Sequence, residues 1–506
     1  MTVKASRARA EAPLRRGLGE RKLSTVHAVA QALAIGPMFS TALVLGIVSN
    51  PATGAGFNAA LAVVAAAIGV LAIGFVVTLY ARQYAGAGAI YEYLAHGATP
   101  AVGVLVAGFF FLGELFLASG SAYLGIGILS HDFWSAHITE SAPPFWVFAL
   151  IAMAIVVGFN HFGIRLAIRA MLTFAAVSFI PLLILAIAII VQGGDSGNTL
   201  APFDPSTTSL GTVFSGVLLG ILLFIGFEAA ASIGEESSDP HRSIPRAVII
   251  TITIAGLFYV LMAYAFSIGF GEATVTAGGF AGDPAYVDTL ATRYVGSGLA
   301  TIIDLVVILD AMGLALALCA VVGRGFFALS RDGLMPSALS RISRHNTPWV
   351  ANLVVAGGCV FFILLASFAG FGKQFGLPTD ELATFILVAT IGSYVVEFVY
   401  LALAVVAIRL LLRMSGTPGQ WWRWPVTLVA IATPILAFMG ALGPEPHSSA
   451  NLNWAALFWA IALAVVSVAW FAAMWTLRRR SVQQAGRHVL GDPSGAPTDP
   501  AVGLTE

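Results

Sequence analysis

The chain has 506 residues, 58% of them hydrophobic and only 10% charged, with a formal net charge of zero. An ordinary soluble domain is about 25% charged, so this composition belongs to a protein immersed in a bilayer, and the neutral balance argues against nucleic acid as a partner. The two cysteines, Cys319 and Cys359, both lie in apolar stretches, which argues against a disulfide framework or a zinc centre.

At about 20 apolar residues per crossing, twelve membrane segments are expected, near 25–48, 58–80, 101–127, 145–160, 171–191, 210–233, 247–269, 298–322, 349–369, 382–408, 426–443 and 454–476. The first is too long in its apolar stretch, and lacks a small-residue cleavage site after it, to be a removable signal; it is read as a retained helix. The flanks 1–22 and 478–506 are polar, rich in Gly, Pro, Arg and Ser, and expected to be disordered, leaving 23–477 as the membrane domain. Between segments 2 and 3, YARQYAGAGAIYEYLAHG (Tyr80–Gly97) is too polar to cross and is expected to form an amphipathic helix on the cytoplasmic side. With the N-terminus inside, every Lys and Arg except Arg293 and Lys373 falls on the cytoplasmic side. A missing or extra segment would scramble that alternation, so the positive-inside rule supports twelve crossings of the cell membrane with both termini cytoplasmic.

Two segments carry interruptions. Segment 1 holds AIGPMFS (Ala34–Ser40), where Gly36 and Pro37 break a continuous helix, and segment 6 holds IGFE (Ile225–Glu228) at a similar depth. Matching interruptions in two halves point to an inverted-repeat transporter that binds its solute near the midplane. Packing kinks are the alternative, because Gly and Pro are common in membrane helices.

The residues after the second break carry a resemblance. GFEAAASIGEESSDPHRSIPRA (Gly226–Ala247), with its G-x-E, E-E and P-x-R-x-I-P-x-A, resembles the segment 6 and loop 6/7 signature of the amino acid/polyamine/organocation transporter family. GRGFFALSRDGLMPSALSRISRHNTPWVANL (Gly323–Leu353) resembles that family's loop 8/9 pattern, and GAGAIYEYLAHGATPAVG (Gly86–Gly103) is a weaker third match. The resemblance covers about 23–477. It implies an all-α polytopic fold in which segments 1–5 (about 25–191) and 6–10 (about 210–408) are inverted repeats with discontinuous helices 1 and 6, and segments 11 and 12 (about 426–476) are accessory. It further implies a cofactor-free secondary transporter that moves an amino acid or related small amine by alternating access, proton-coupled or sodium-free. An uncoupled polyamine or organic amine carrier or exchanger, and a non-transporting sensor on the same fold, remain alternatives. The expected partners are the small-molecule substrate, a proton or sodium ion, and the bilayer. An enzyme should show His, Cys or Ser clustered with an acid at one interface, and no such cluster is found. Many family members break segment 1 with G-S/T-G, whose amides hold a substrate carboxylate. Here the break reads Ile35-Gly36-Pro37-Met38, and Pro37 has no N–H, although Met38, Phe39 and Ser40 could still offer amides. An amine lacking the α-carboxylate is therefore an open alternative.

Candidate substrate-binding residues are Ile35, Gly36, Met38, Phe39, Ser40, Phe224, Ile225, Gly226, Phe227, Glu228 and Glu114. Glu228 either binds the amine or caps the second half-helix, where the dipole favours an acid. Glu114, mid-segment 3 with no opposite charge within helical reach, is read as a proton carrier, an amine ligand, or a neutral carboxyl bonded to a neighbouring helix. Glu235 lies seven residues after Glu228, close to the same helical face. With Glu236 and Asp239 it is expected to form a gate with the nearby Arg242 and Arg246. Asp304 and Asp310 are six residues apart on different faces of segment 8, Asp310 the deeper. In the resemblance, segment 8 passes a cation position, or one filled by a segment 5 lysine, that matches Ser178 here. The three lysines, Lys4, Lys22 and Lys373, all lie outside the expected helices, so lysine-based coupling is excluded. What remains is an Asp310–Ser178 cation site, a protonatable Asp310 or Glu114, or no coupling; proton coupling is favoured. Phe224 and Phe227 could form an aromatic gate. Glu397, flanked by Tyr394 and Tyr400, is expected to pack with a tyrosine hydrogen bond, and His161 and His241 show no metal spacing.

Overall fold

The fold is that of a computed structural model, which describes residues 18, 23–34, 36–52, 54–283, 285–414, 421–442 and 452–491. All twelve expected crossings are present as helices. Segments 1 to 6 are Thr25–Leu43, Gly56–Ala81, Pro100–His137, Phe145–Phe162, Ile164–Gln192 and Leu210–Glu236. Segments 7 to 12 are Pro240–Phe270, Ser297–Arg331, Trp349–Phe368, Asp380–Leu412, Arg423–Gly440 and Leu452–Leu477. In hydrocarbon every backbone polar group needs an internal partner, which a helix supplies. Several helices run past their apolar stretch, segment 3 to His137 and segment 8 to Arg331, because the same bonding continues beyond the bilayer. Segment 3 starts on Pro100 after Thr99, whose side chain accepts from the Val102 amide, and segment 6 starts after Ser209, which accepts from Thr212.

Burial sorts the helices. Segment 8 is covered along most of its length, whereas segment 12 faces outward, with 11% of its apolar window buried. Segments 2 and 6 approach closely through glycine: a Cβ on Gly216 would stand 2.9 Å from that of Ala62, and one on Gly220 2.8 Å from that of Ala66.

Segments 1 and 6 are discontinuous. Segment 1 is split into Thr25–Leu33 and Pro37–Leu43, joined through Gly36 at φ +71°. Segment 6 runs as an α-helix over Leu210–Leu222 and turns through Gly226 at φ +112°; a tight 3₁₀ run then covers Phe227–Glu236. Both glycines occupy the left-handed region that Cβ disfavours. Irregular backbone at this depth survives because protein buries it.

At the bundle end that holds Leu23 and residues 478–491, two expectations change. The stretch after segment 2 forms a two-residue strand, Tyr84–Ala85, and a helix, Ile90–Gly97, in which Tyr91, Glu92, Tyr93 and Leu94 are all buried. The expected helix thus forms, and nearly all of it is buried in the bundle end. The tail expected to be disordered from 478 is ordered as far as Gly491: it forms a short helix, Arg479–Gln483, and a strand, Leu490–Gly491, antiparallel to Tyr84–Ala85. Burial of Val482 and Ala485 explains why its polar composition misled. Residues 492–506, and 1–22 apart from Leu18, lie outside the described residues.

Candidate functional site

A helix that restarts in mid-membrane exposes N–H groups with no partner in the preceding turn. At the segment 1 break the chain supplies that partner itself. The Met38 and Phe39 amides donate to Asp310 Oδ2 at 2.9 and 3.0 Å, and Ser178 Oγ donates to Oδ1 at 3.0 Å. The Ser40 amide returns to the Gly36 carbonyl at 2.8 Å. The structure thus joins Asp310 to Ser178 as the sequence suggested, but the three amides expected to face a ligand are already engaged. Ile35 lies outside the described residues.

The segment 6 break is treated the same way. Gly226 donates its amide to Glu228 Oε2 at 3.1 Å, so Glu228 caps the restart. Its carboxyl also faces Glu114 of segment 3 and the Tyr400 hydroxyl of segment 10. Glu114 Oε1 and Glu228 Oε1 have no hydrogen-bond partner among the described residues, and both side chains are fully covered. Two carboxyls meeting in low dielectric with no cation beside them cannot both carry charge, so the pair can share and release a proton. Neither oxygen of Glu397 has a partner among the described residues; the expected tyrosine hydrogen bond is not made, and Tyr394 stacks on Phe438 at 5.6 Å instead.

A narrow cavity of about 40 Å³ lies beside the breaks, lined by Phe39, Ser40, Leu117, Ser121, Ile225 and Phe385 among others. It has room for a few waters rather than a solute. Segment 3 adapts to it with a wide π-turn, Leu117–Ser121, which turns Ser121 to the cavity. The aromatic pair at the cavity is Phe39 and Phe385, edge to face at 5.9 Å. Phe224 packs away on Tyr259 and Phe227 on Tyr400, both fully buried, which corrects the expected aromatic gate.

Where the described chain begins and stops, the acids expected to form a gate draw their cations from segment 8. Arg324 grips Glu236 with two bonds of 2.9 Å, and Arg331 grips Glu235 at 2.6 and 3.1 Å. Arg242 pairs only with Asp239, at 3.9 Å and exposed, and Arg246 is exposed. Glu228 and Glu235 meet different partners, Gly226 and Glu114 against Arg331, because the run between them is kinked by non-helical backbone at Ile233 (φ −97°, ψ 19°). Arg324, Arg331 and Asp332 sat in the quoted loop 8/9 motif, the one signal that could have found them. Asp332 anchors the tail: Tyr91, the Gly486 amide and His488 Nδ1 contact its carboxyl at 2.5, 2.7 and 2.7 Å. Burial would raise this carboxyl, but the contacts from His488, Tyr91 and Gly486 hold it below the usual range.

Glu92 stands beside that anchor with Oε2 unpartnered and Arg331 4.0 Å away. Burial first, then the Glu235 carboxylate, push its carboxyl well above the usual range. A raised carboxyl stabilises the fold fully below its unfolded value of about 4.3, and that contribution is lost as pH rises through the folded value. Glu92→Gln is therefore expected to melt with wild type near pH 4 and above it, by a few degrees, at pH 8, as read by thermal unfolding of the purified protein in detergent.

Comparison with known proteins agrees with this architecture. The family described as amino acid permease matches residues 28–474. The chain is 29% identical over 209 residues to the branched-chain amino acid permease BcaP of Bacillus subtilis, covering 41% of this chain and 40% of that protein. It is 26% identical over 263 residues to the low-affinity putrescine importer PlaP of Escherichia coli, covering 51% and 56%. It is also 26% identical over 263 residues to the methylthioribose transporter of Bacillus subtilis, covering 50% and 55%. The chain thus spans about half the length of the curated relatives it matches.

Proposed function

The chain belongs to the amino acid permease family, and from that premise we propose that this multi-pass membrane protein is a secondary transporter of an amino acid or related small amine, working by alternating access about its two breaks. The observation that carries the reading is the convergence of both interrupted helices on buried carboxyls beside a cavity. With the termini cytoplasmic, as the basic residues indicate, the Arg324–Glu236 and Arg331–Glu235 pairs shut the inner side, and the narrow cavity belongs to the outer path.

Coupling rests on the Glu114–Glu228 pair, which can exchange a proton for a solute ammonium. Asp310, with three protein donors and no Lys or Arg among the described residues in contact, acts as a staple between segments 1, 5 and 8. Uptake of a labelled amino acid and amine panel into proteoliposomes tests the reading. An imposed outward proton gradient, acid inside, is expected to raise uptake and a sodium gradient to leave it unchanged; binding without counterflow would mark a sensor instead. Asp310→Asn is expected to slow uptake about tenfold, the worth of a charge-assisted hydrogen bond, with its proton-gradient dependence intact. Loss of that dependence would return Asp310 to the coupling path.

A further inference from the structure

We propose that the solute is a cation without a carboxylate, a small amine with an apolar body, and that Asp310 and Glu228 select it against the matching α-amino acid by occupying the amides of both breaks. This rests on the carrier reading above and narrows its substrate. Three amides free themselves where the helices restart, those of Met38, Phe39 and Gly226, and all three bond to internal carboxylates. A solute carboxylate would have to displace a buried carboxylate and then lie beside its charge, and in low dielectric such like-charge contact is strongly repulsive.

Among the described residues that line the cavity, none carries a positive charge to offer an anion. The cavity lining contains no Lys or Arg; its polar groups are the hydroxyls of Ser40 and Ser121, and the remainder is apolar. Acceptors for an ammonium do exist. Glu114 Oε1 and Glu228 Oε1 are buried and unpartnered, one helical turn from Leu117 and three residues from Ile225 of the lining. The bundle end opposite Leu23 and residues 478–491 has the same sign. Asp304 there pairs with His137 at 2.8 Å. Asp132 lies within electrostatic range of both Asp304 and Glu381. Of the cations on that side, Arg293 is committed to Asp195 at 2.6 Å. An acidic mouth raises the local concentration of cations and lowers that of anions.

Decarboxylated pairs isolate the carboxylate from the body of the solute. Isopentylamine against leucine, and phenethylamine against phenylalanine, are compared by calorimetric binding to the purified full chain and by counterflow in proteoliposomes. At least one amine is expected to bind tenfold or more tightly than its amino acid. An amino acid binding as well as its amine overturns the proposal, and so does failure of both amines to bind at millimolar concentration. Amine binding without counterflow leaves the selectivity standing and defeats the carrier reading, so the two failures are distinct. Asp310→Ala relieves the repulsion and is expected to narrow the amine preference about tenfold, by some 1.4 kcal/mol; an unchanged preference removes Asp310 as the selecting residue.

Discussion

Arg324→Ala is expected to be the most destabilising single substitution in the gate, at roughly 3–5 kcal/mol, the cost of leaving one member of a buried ion pair unpaired. Arg324 and Glu236 are each about 3% exposed, and their two bonds of 2.9 Å tie segment 8 to the end of segment 6. Truncation strands the Glu236 carboxylate in a site without other cations in contact. The purified variant should lose monodispersity on size-exclusion chromatography at a temperature wild type tolerates. The double variant Arg324→Met with Glu236→Leu should recover most of the loss, because an apolar pair of similar volume avoids the desolvation cost altogether. If the single variant melts with wild type, the pair is not a buried clamp. Arg331→Ala should cost less: Arg331 is more exposed, and Glu235 keeps a second contact from the Ala87 amide at 3.2 Å.

The twelve crossings were legible because hydrocarbon imposes length and apolarity residue by residue. The two breaks were legible for a local reason as well, since Gly36-Pro37 and Gly226 cannot continue an ideal helix without cost. The Glu228 cap of the second break was among the readings, but the group that fills the first was not. Asp310 reaches Met38 across 272 positions, and Glu114 meets Glu228 only because segments 3 and 6 are neighbours in space. A charge inventory can say that Glu114 lacks a partner on its own helix. It cannot say that the nearest group on another helix is a second acid.

The gate shows the same boundary from the other side. Arg242 and Arg246 were chosen as partners for Glu235 and Glu236 because they are close in the chain, and chain proximity was the wrong measure once the intervening run wound as a 3₁₀-helix and turned at Ser237. The true cations come from segment 8, some 90 residues on. Composition likewise read residues 478–491 as disordered, although a few small apolar residues and one strand pair suffice to dock them once Asp332 accepts from Tyr91 and Gly486. Local rules located the places where the helix fails, and long-range pairing decided what each place does.

Glu228→Gln separates the two duties assigned to that residue. Glutamine keeps a carbonyl to accept from the Gly226 amide, so the restart of segment 6 and its cap should survive. It cannot take or release a proton, and Glu114 is then left facing a neutral amide. With one pH unit across the membrane, worth about 1.4 kcal/mol per proton, a carrier that exchanges one proton for one ammonium sustains roughly a tenfold concentration ratio of its solute. In Glu228→Gln that ratio should collapse to one while counterflow, which needs no net proton movement, continues. Glu228→Ala removes the cap as well, and should slow counterflow itself by roughly 10- to 100-fold, as expected for loss of a charge-assisted hydrogen bond of about 1.5–3 kcal/mol. Glu114→Gln provides the reciprocal case: if the proton belongs to the pair rather than to either acid, it should abolish accumulation as completely as Glu228→Gln does. Accumulation that persists in both glutamine variants would place the coupling proton elsewhere, with the unpartnered Glu397 carboxyl the next group to replace.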